Sequence, residues 1–331
     1  MDGRVSDCRR KRFDQTGAAP SPRESVNPMT MGLQYRFPMK LVAGILSFCL
    51  CSALDADDKP ETQVVKVRDL LWVWGNPEMG QPGADSAGDY AAATPAKRAE
   101  ILGTPNIVMA GSGLPHDREL AAEWSDEVSH APRLVWEIIS DSHQEHKPPF
   151  EFRRRIAGIA PLVEEYPQIE AVMVDDMTSV AASKGFEPEH LRSIKSLLAK
   201  HDLPLELWGV LYTMNFDKPT TDPLVQELDV INLWHWHGQD TADMEEHVSE
   251  CEQRYPGKPI ILGLYMYDYG SGRRMPLELH EKQCETALSL LRANRVSGLV
   301  FLSITNDEEV VDWTADWIEK VGNEEIEVST R

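Results

Sequence analysis

Two adjacent carboxylates, Asp175 and Asp176, follow four apolar residues (171–174, AVMV) and precede a Thr-Ser pair. A buried parallel strand that emerges at a working face has this pattern, apolar along its length and polar where it ends. Paired carboxyl groups can cleave a glycosidic bond. One acts as acid and the other as nucleophile or base, about 5–5.5 Å away for retention and about 6.5–9.5 Å for inversion. The candidates are Asp176 with either Asp268 or Glu137, while Asp175 orients or tunes Asp176. Alternation lets only one of Asp175 and Asp176 point inward from a regular strand.

Other strand ends mix aromatic and polar residues. Trp74, Tyr212, Trp234, Trp236, Tyr265, Tyr267 and Tyr269 offer flat faces that stack on sugar rings, and Asn76, Asn215, His235, His237 and Asn306 offer groups for hydroxyls. The plainer reading is that the aromatic rings fill a core, and it weakens as the set grows. His235 and His237 stand two apart, the spacing of a same-side pair that could ligate zinc or manganese. No other strand end supplies a His, so no metal and no cofactor is expected. The turn 110–113 (AGSG) and the pair Arg273-Arg274 could each bind an anion, yet they read more simply as a tight loop and an exposed basic pair.

Strand-like and helix-like segments alternate eight times. The strands are expected at 69–74, 106–110, 133–139, 169–174, 205–214, 230–236, 259–267 and 298–304. Between them, Thr94-Pro95 reads as a cap with proline at the first helical position, and that helix closes near Gly103. Thr241 is expected to cap a helix running to Tyr255. Leu191, Ile194, Leu197 and Leu198 recur at helical spacing in the segment 188–201. Eight such units over residues 69–322 fit a single-domain (β/α)8 TIM barrel, an α/β fold. A doubly wound sheet would bring a Gly-rich turn after the first strand, where Gly75-Asn76-Pro77 stands instead.

In a barrel the strand ends form the active face, where the carboxylates Asp141, Asp175, Asp176, Asp268 and Asp307 gather. Alternation places Leu134, Trp136 and Ile138 against helices and therefore Glu137 inside, where an unpaired carboxylate needs a proton or a partner. Glu137 is thus either structural or catalytic with a raised pKa. The same rule points Gly263, Tyr265 and Tyr267 inward. In the last strand it sends Val300, Leu302 and Ile304 to the helices and Phe301, Ser303 and Thr305 inward.

The 331 residues carry a net charge of −21, with 54 acidic against 33 basic residues and no basic patch, so nucleic acid is excluded as a partner. The apolar run 41–53 is too short for the roughly 20 residues of a membrane span but suits the core of a signal peptide. The expected organisation is a leader or mis-assigned start at 1–38, a signal peptide at 39–53, an acidic linker at 54–68, the barrel, and a tail at 323–331. Residues 1–53 hold eight basic and four acidic residues, leaving 25 against 50 in an exported mature chain with no membrane span. Such a chain would reside in the periplasm or outside the cell. Cys251 and Cys284, each in an expected helix, can form one disulfide or remain buried thiols.

The strand ends VMVDDM (172–177), LYMYDYGSG (264–272) and FLSITND (301–307) resemble those of glycoside hydrolase-type (β/α)8 barrels, especially exported and poorly characterised bacterial members. The Asn-Glu pair of many retaining members and the DxxDxDxE run of chitinase-like members are absent. The resemblance implies a hydrolase acting on glycosidic bonds, with a carbohydrate as substrate. A barrel that binds carbohydrate without cleaving it, and a metal-dependent hydrolase, remain alternatives.

Overall fold

The computed structural model describes residues 62–81, 83–84, 86–111, 113–115, 118–139 and 152–329. The expected leader (1–38) and signal peptide (39–53), and Asp141, lie outside these. The apolar runs form eight strands: β1 (Leu71–Gly75), β2 (Asn106–Met109), β3 (Leu134–Ile139), β4 (Ile169–Val174), β5 (Glu206–Tyr212), β6 (Val230–Trp234), β7 (Ile260–Tyr265) and β8 (Gly298–Leu302). Neighbours pair in parallel in chain order and β8 pairs with β1, closing the sheet into a (β/α)8 barrel. Parallel strands buried on both faces are near-continuous apolar runs, which is why they are visible in the sequence.

Helices separate the strands: α1 (Pro95–Leu102), α2 (Arg118–Glu127), α3 (Phe152–Glu165), α4 (Met177–Lys184), α5 (Pro188–Lys200), α6 (Thr221–Gln226), α7 (Met244–Arg254), α8 (Leu277–Arg292) and α9 (Glu308–Val321). The Oγ1 of Thr94 accepts from the Lys97 amide at 3.3 Å, and Gly103 closes α1 at φ 71°, as its caps suggested. Thr241 behaves differently from expectation. It lies in a short 3-10 helix, Gly238–Asp243, and its Oγ1 donates back to the Gly238 carbonyl at 2.7 Å. Helix α4 is an addition that the sequence pattern did not reveal. None of the described helices is long and apolar enough to cross a membrane.

Two apolar layers result. Leu71, Ile107, Trp136, Val172, Leu233 and Phe301 pack outward against the helices, whereas Trp72, Val108, Val135, Trp208 and Val300 fill the barrel. The final strand corrects the expected register. Val300 and Leu302 belong to the inner layer, and Phe301 meets Trp317 of α9 with ring centroids 6.2 Å apart. Leu299 to Leu302 is apolar on both faces, so its pattern held no signal to choose between them, and a shift of one residue exchanges them.

The expected linker and tail also hold structure. Thr62–Lys66 pairs antiparallel with Glu325–Ser329, from Thr62 opposite Ser329 to Lys66 opposite Glu325. Cys251 and Cys284 are buried free thiols.

Candidate active site

The C-terminal ends of the strands surround a cavity of about 300 Å³, at the lower end of the range for small-molecule sites. A larger depression of about 940 Å³ lies at the opposite end, by Arg133, Glu206 and Ile260 where strands begin. The smaller one is the candidate, because barrel enzymes build their sites at the C-terminal face.

Asp175 and Asp176 both line this cavity. That overturns the expectation that only one could point inward, and the backbone supplies the reason. Strand β4 ends at Val174, and Asp176 takes a left-handed conformation (φ 46°, ψ 36°) at the start of α4. Alternation holds only while the chain stays extended. Asp175 accepts its neighbour's amide proton at 2.7 Å, and its own amide donates to the Ile139 carbonyl at 2.7 Å. The Tyr212 hydroxyl donates to Oδ1 of Asp176 at 2.8 Å and lies 3.4 Å from the Tyr265 hydroxyl. Because Tyr212 spends its proton on the carboxylate, Tyr265 is the donor between the two phenols. Burial above all holds both phenols well above their ordinary pKa, so they remain neutral donors.

Aromatic rings make up much of the wall. Trp74 meets Trp234 edge to face at 5.7 Å, Trp234 meets Tyr265 at 4.5 Å, and Trp236 stands 5.3 Å from Tyr212. Gly263 makes this possible: a Cβ there would fall 2.0 Å from the Trp234 ring. The Trp234 indole donates to Asn232 Oδ1 at 2.7 Å, and the Asn232 amide donates to the Ile261 carbonyl at 3.0 Å, which fixes the ring from below. Trp74, Asn76, Tyr212, Trp234, Trp236 and Tyr265 all line the cavity.

Other candidates sit elsewhere. Glu137 does point into the barrel, since Val135 is in the inner layer and Trp136 stacks outward on Trp124 at 6.4 Å. It is fully buried behind the turn that follows β2, whose Gly111 amide donates to its Oε2 at 2.5 Å. The group held by the Gly111 amide is thus the chain's own carboxyl. Burial raises the Glu137 pKa to about 7, opposed by the Gly111 bond and the Arg155 charge and reinforced by Asp176. Gly111 has φ 98°, and a Cβ there would meet the Asn76 side chain at 2.7 Å, so both the turn and the close approach call for glycine.

Asp268 does not line the cavity. It is a loop clamp, accepting from the amides of Gly238 at 3.0 Å and Ser271 at 3.1 Å and from Arg273 at 3.4 Å. Burial works to raise its pKa, but these donors outweigh it and hold the carboxyl below its ordinary value. Tyr267 lies past the end of β7, in a two-residue strand paired with Arg273–Arg274, where its ring meets Tyr269 at 5.2 Å. Arg274 in turn is bound to Asp307 through contacts of 2.6 and 2.5 Å.

The His pair is also corrected. His235 is buried with its Nε2 3.2 Å from Nδ1 of His247 on α7, and burial above all lowers its pKa to about 3. His237 packs against Gly270, where a Cβ would touch its ring. The strand geometry assumed for the pair stops at Trp234. Asn215 is buried against Thr178, and Asn306 accepts the Ala91 amide at 2.7 Å, so these two hold loops. Among the described residues no cluster of three metal-ligating side chains occurs.

Arg98 and Tyr269 also line the cavity. Arg98 was missed because an arginine in the first turns of a polar helix reads as solvated. Here it is 2% exposed and anchors three segments through their carbonyls. Tyr269 belongs to the aromatic set named at the strand ends, in the run after β7.

No protein-family model matches the sequence, and no curated protein matches it. Among solved structures, the chain is similar to the GH99 endo-alpha-mannosidase from Bacteriodes thetaiotaomicron, with a TM-score of 0.50 and 11% identity over 76% of this chain and 97% of that one. A chitinase from Chromobacterium violaceum gives 0.45 at 10% identity, covering 74% of this chain and 98% of the chitinase. A beta-glucuronidase from Bacteroides uniformis gives 0.48 at 15% identity, covering 72% of this chain and 30% of the glucuronidase. At such identities the likeness concerns the fold, and the chain is a (β/α)8 barrel similar in fold to a glycoside hydrolase.

Proposed function

We propose that this protein is an exported glycoside hydrolase-like barrel that acts on a carbohydrate through Asp175 and Asp176. One observation carries the reading: two carboxylates and a wall of aromatic rings share one cavity at the C-terminal face. The rings suit the apolar faces of a sugar, and the carboxylates suit its hydroxyls and the charge that develops on its ring during cleavage. Asp176, bonded to Tyr212, is the acid or nucleophile, and Asp175 orients or tunes it. With Glu137 buried and Asp268 bound to its loop, the paired chemistry falls to these neighbours, or one role falls to the substrate itself.

Turnover of a panel of aryl glycosides and oligosaccharides by the wild type and by Asp176→Asn tests the reading. The variant should lose at least about 100-fold in kcat/KM, on the scale of a removed acid–base catalyst. Full turnover by the variant would end the assignment of Asp176. Glycan binding with no cleavage across the panel would turn the reading to a binding barrel. The export part rests on the apolar run 41–53, and N-terminal sequencing of the processed protein checks it.

A further inference from the structure

We propose that Arg98 makes the cavity selective for sugars that carry an anionic substituent, a carboxylate or a sulfate ester. The proposal deepens the carbohydrate reading above and rests on it.

Arg98 is a buried cation whose bonds all run to backbone carbonyls. Its Nε donates to Ala93 at 3.2 Å, Nη1 to Trp74 at 3.3 Å and to Ser303 at 3.1 Å, and Nη2 to Ala91 at 2.7 Å. These occupy four of the five N–H groups of a guanidinium and leave one on Nη2. Among the described residues no carboxylate pairs with it. Arg133, Arg254 and Arg295, by contrast, each meet one within 2.7 Å. In a chain with 54 acidic residues against 33 basic ones, an arginine buried without a counter-charge is a conspicuous exception. Carbonyl dipoles offset part of the cost of burying the charge and cancel none of it.

The surroundings favour an acceptor. The Tyr90 ring lies 5.2 Å from the guanidinium carbon. The buried hydroxyl of Tyr90 has no hydrogen-bond partner among the described residues, and Tyr269 beside it lines the cavity. Arg98 is tied to the end of β1 and to Ser303 just past β8. In the ring of eight strands β8 stands opposite β4, which delivers Asp175 and Asp176. The cavity therefore has an acidic wall and a basic wall, with aromatic rings between them. A sugar stacked on the rings would direct its anionic group to Arg98 and keep its hydroxyls and glycosidic oxygen for the aspartates.

The test is calorimetric binding of matched methyl glycosides to the full-length protein and to Asp176→Asn: glucose against glucuronate, galactose against galacturonate, and the two 6-sulfates. The acidic members should bind about 10- to 100-fold more tightly than the neutral ones, the scale of a hydrogen bond to a charged group. The ratio should shrink in Arg98→Gln, whose fold is checked by circular dichroism. Preference for uronates over sulfates, or the reverse, names the substituent. Equal binding of neutral and acidic members overturns the proposal and leaves the carbohydrate reading intact, and the wild type decides this even if Arg98→Gln fails to fold. A ratio unchanged in folded Arg98→Gln also overturns it. Binding of no sugar at all overturns both.

Discussion

Protonation of His280 offers a sharp check of how the cavity floor is held. His280 on α8 is fully buried; its Nδ1 lies 2.6 Å from the Gln283 amide and its Nε2 lies 2.8 Å from Thr314 Oγ1. Thr314 donates to the Val310 carbonyl at 2.6 Å, and Gln283 also donates to the Tyr265 carbonyl at 2.6 Å, at the end of β7. These directions require a neutral imidazole that donates from Nε2 and accepts at Nδ1, so a second proton on Nδ1 would displace the Gln283 amide. Burial above all lowers its pKa to about 4. The unfolded chain titrates near 6.5, so below that pH it binds a proton that the folded chain refuses. Stability is then lost as pH falls from about 6.5 to about 4, at about 1.4 kcal/mol per unit, which amounts to about 2 kcal/mol by pH 5. Urea unfolding of the wild type and His280→Gln at about pH 7.5 and pH 5 isolates this effect, because His235 and Glu137 titrate alike in both proteins. The wild type should lose about 2 kcal/mol more than the variant. Equal losses would show that His280 is not held neutral and would refute the network that ties α8 to Tyr265.

Three further outcomes follow from the geometry. Tyr212→Phe removes the hydroxyl bonded to Asp176 and should lower kcat/KM about 10- to 100-fold on the glycoside that the panel identifies, while moving the melting temperature little. Gly263→Ala drives a methyl group into the Trp234 ring and should cost about 1–3 kcal/mol in chemical denaturation, with weakened sugar binding. Glu137 has a raised folded pKa, so the native state holds a proton that the unfolded state releases between roughly pH 4.5 and 7. Wild-type stability should therefore fall as pH rises through that window, and Glu137→Gln should flatten that component of the profile.

The chain itself determined the barrel. Eight apolar runs closed by polar ends, with Thr94-Pro95 and Gly103 bounding α1, are local signals, and strands buried on both faces cannot hide them. The aromatic ends of β1, β5, β6 and β7 were legible for the same reason, as was the inward turn of Glu137. Tertiary structure decided what local pattern could not carry. Asp175 and Asp176 face the cavity together because the backbone leaves the extended state at Asp176. Strand β8 is apolar on both sides, so only packing against α9 chose its inner face. Asp268 and His235 have suitable side chains for a site, but donors from a loop and a histidine from α7 claim them. Arg98 carries no mark in its helix, and the folded chain alone places it across the ring from the two aspartates, because carbonyls of Trp74 and Ser303, distant in sequence, converge on its guanidinium with that of Ala91.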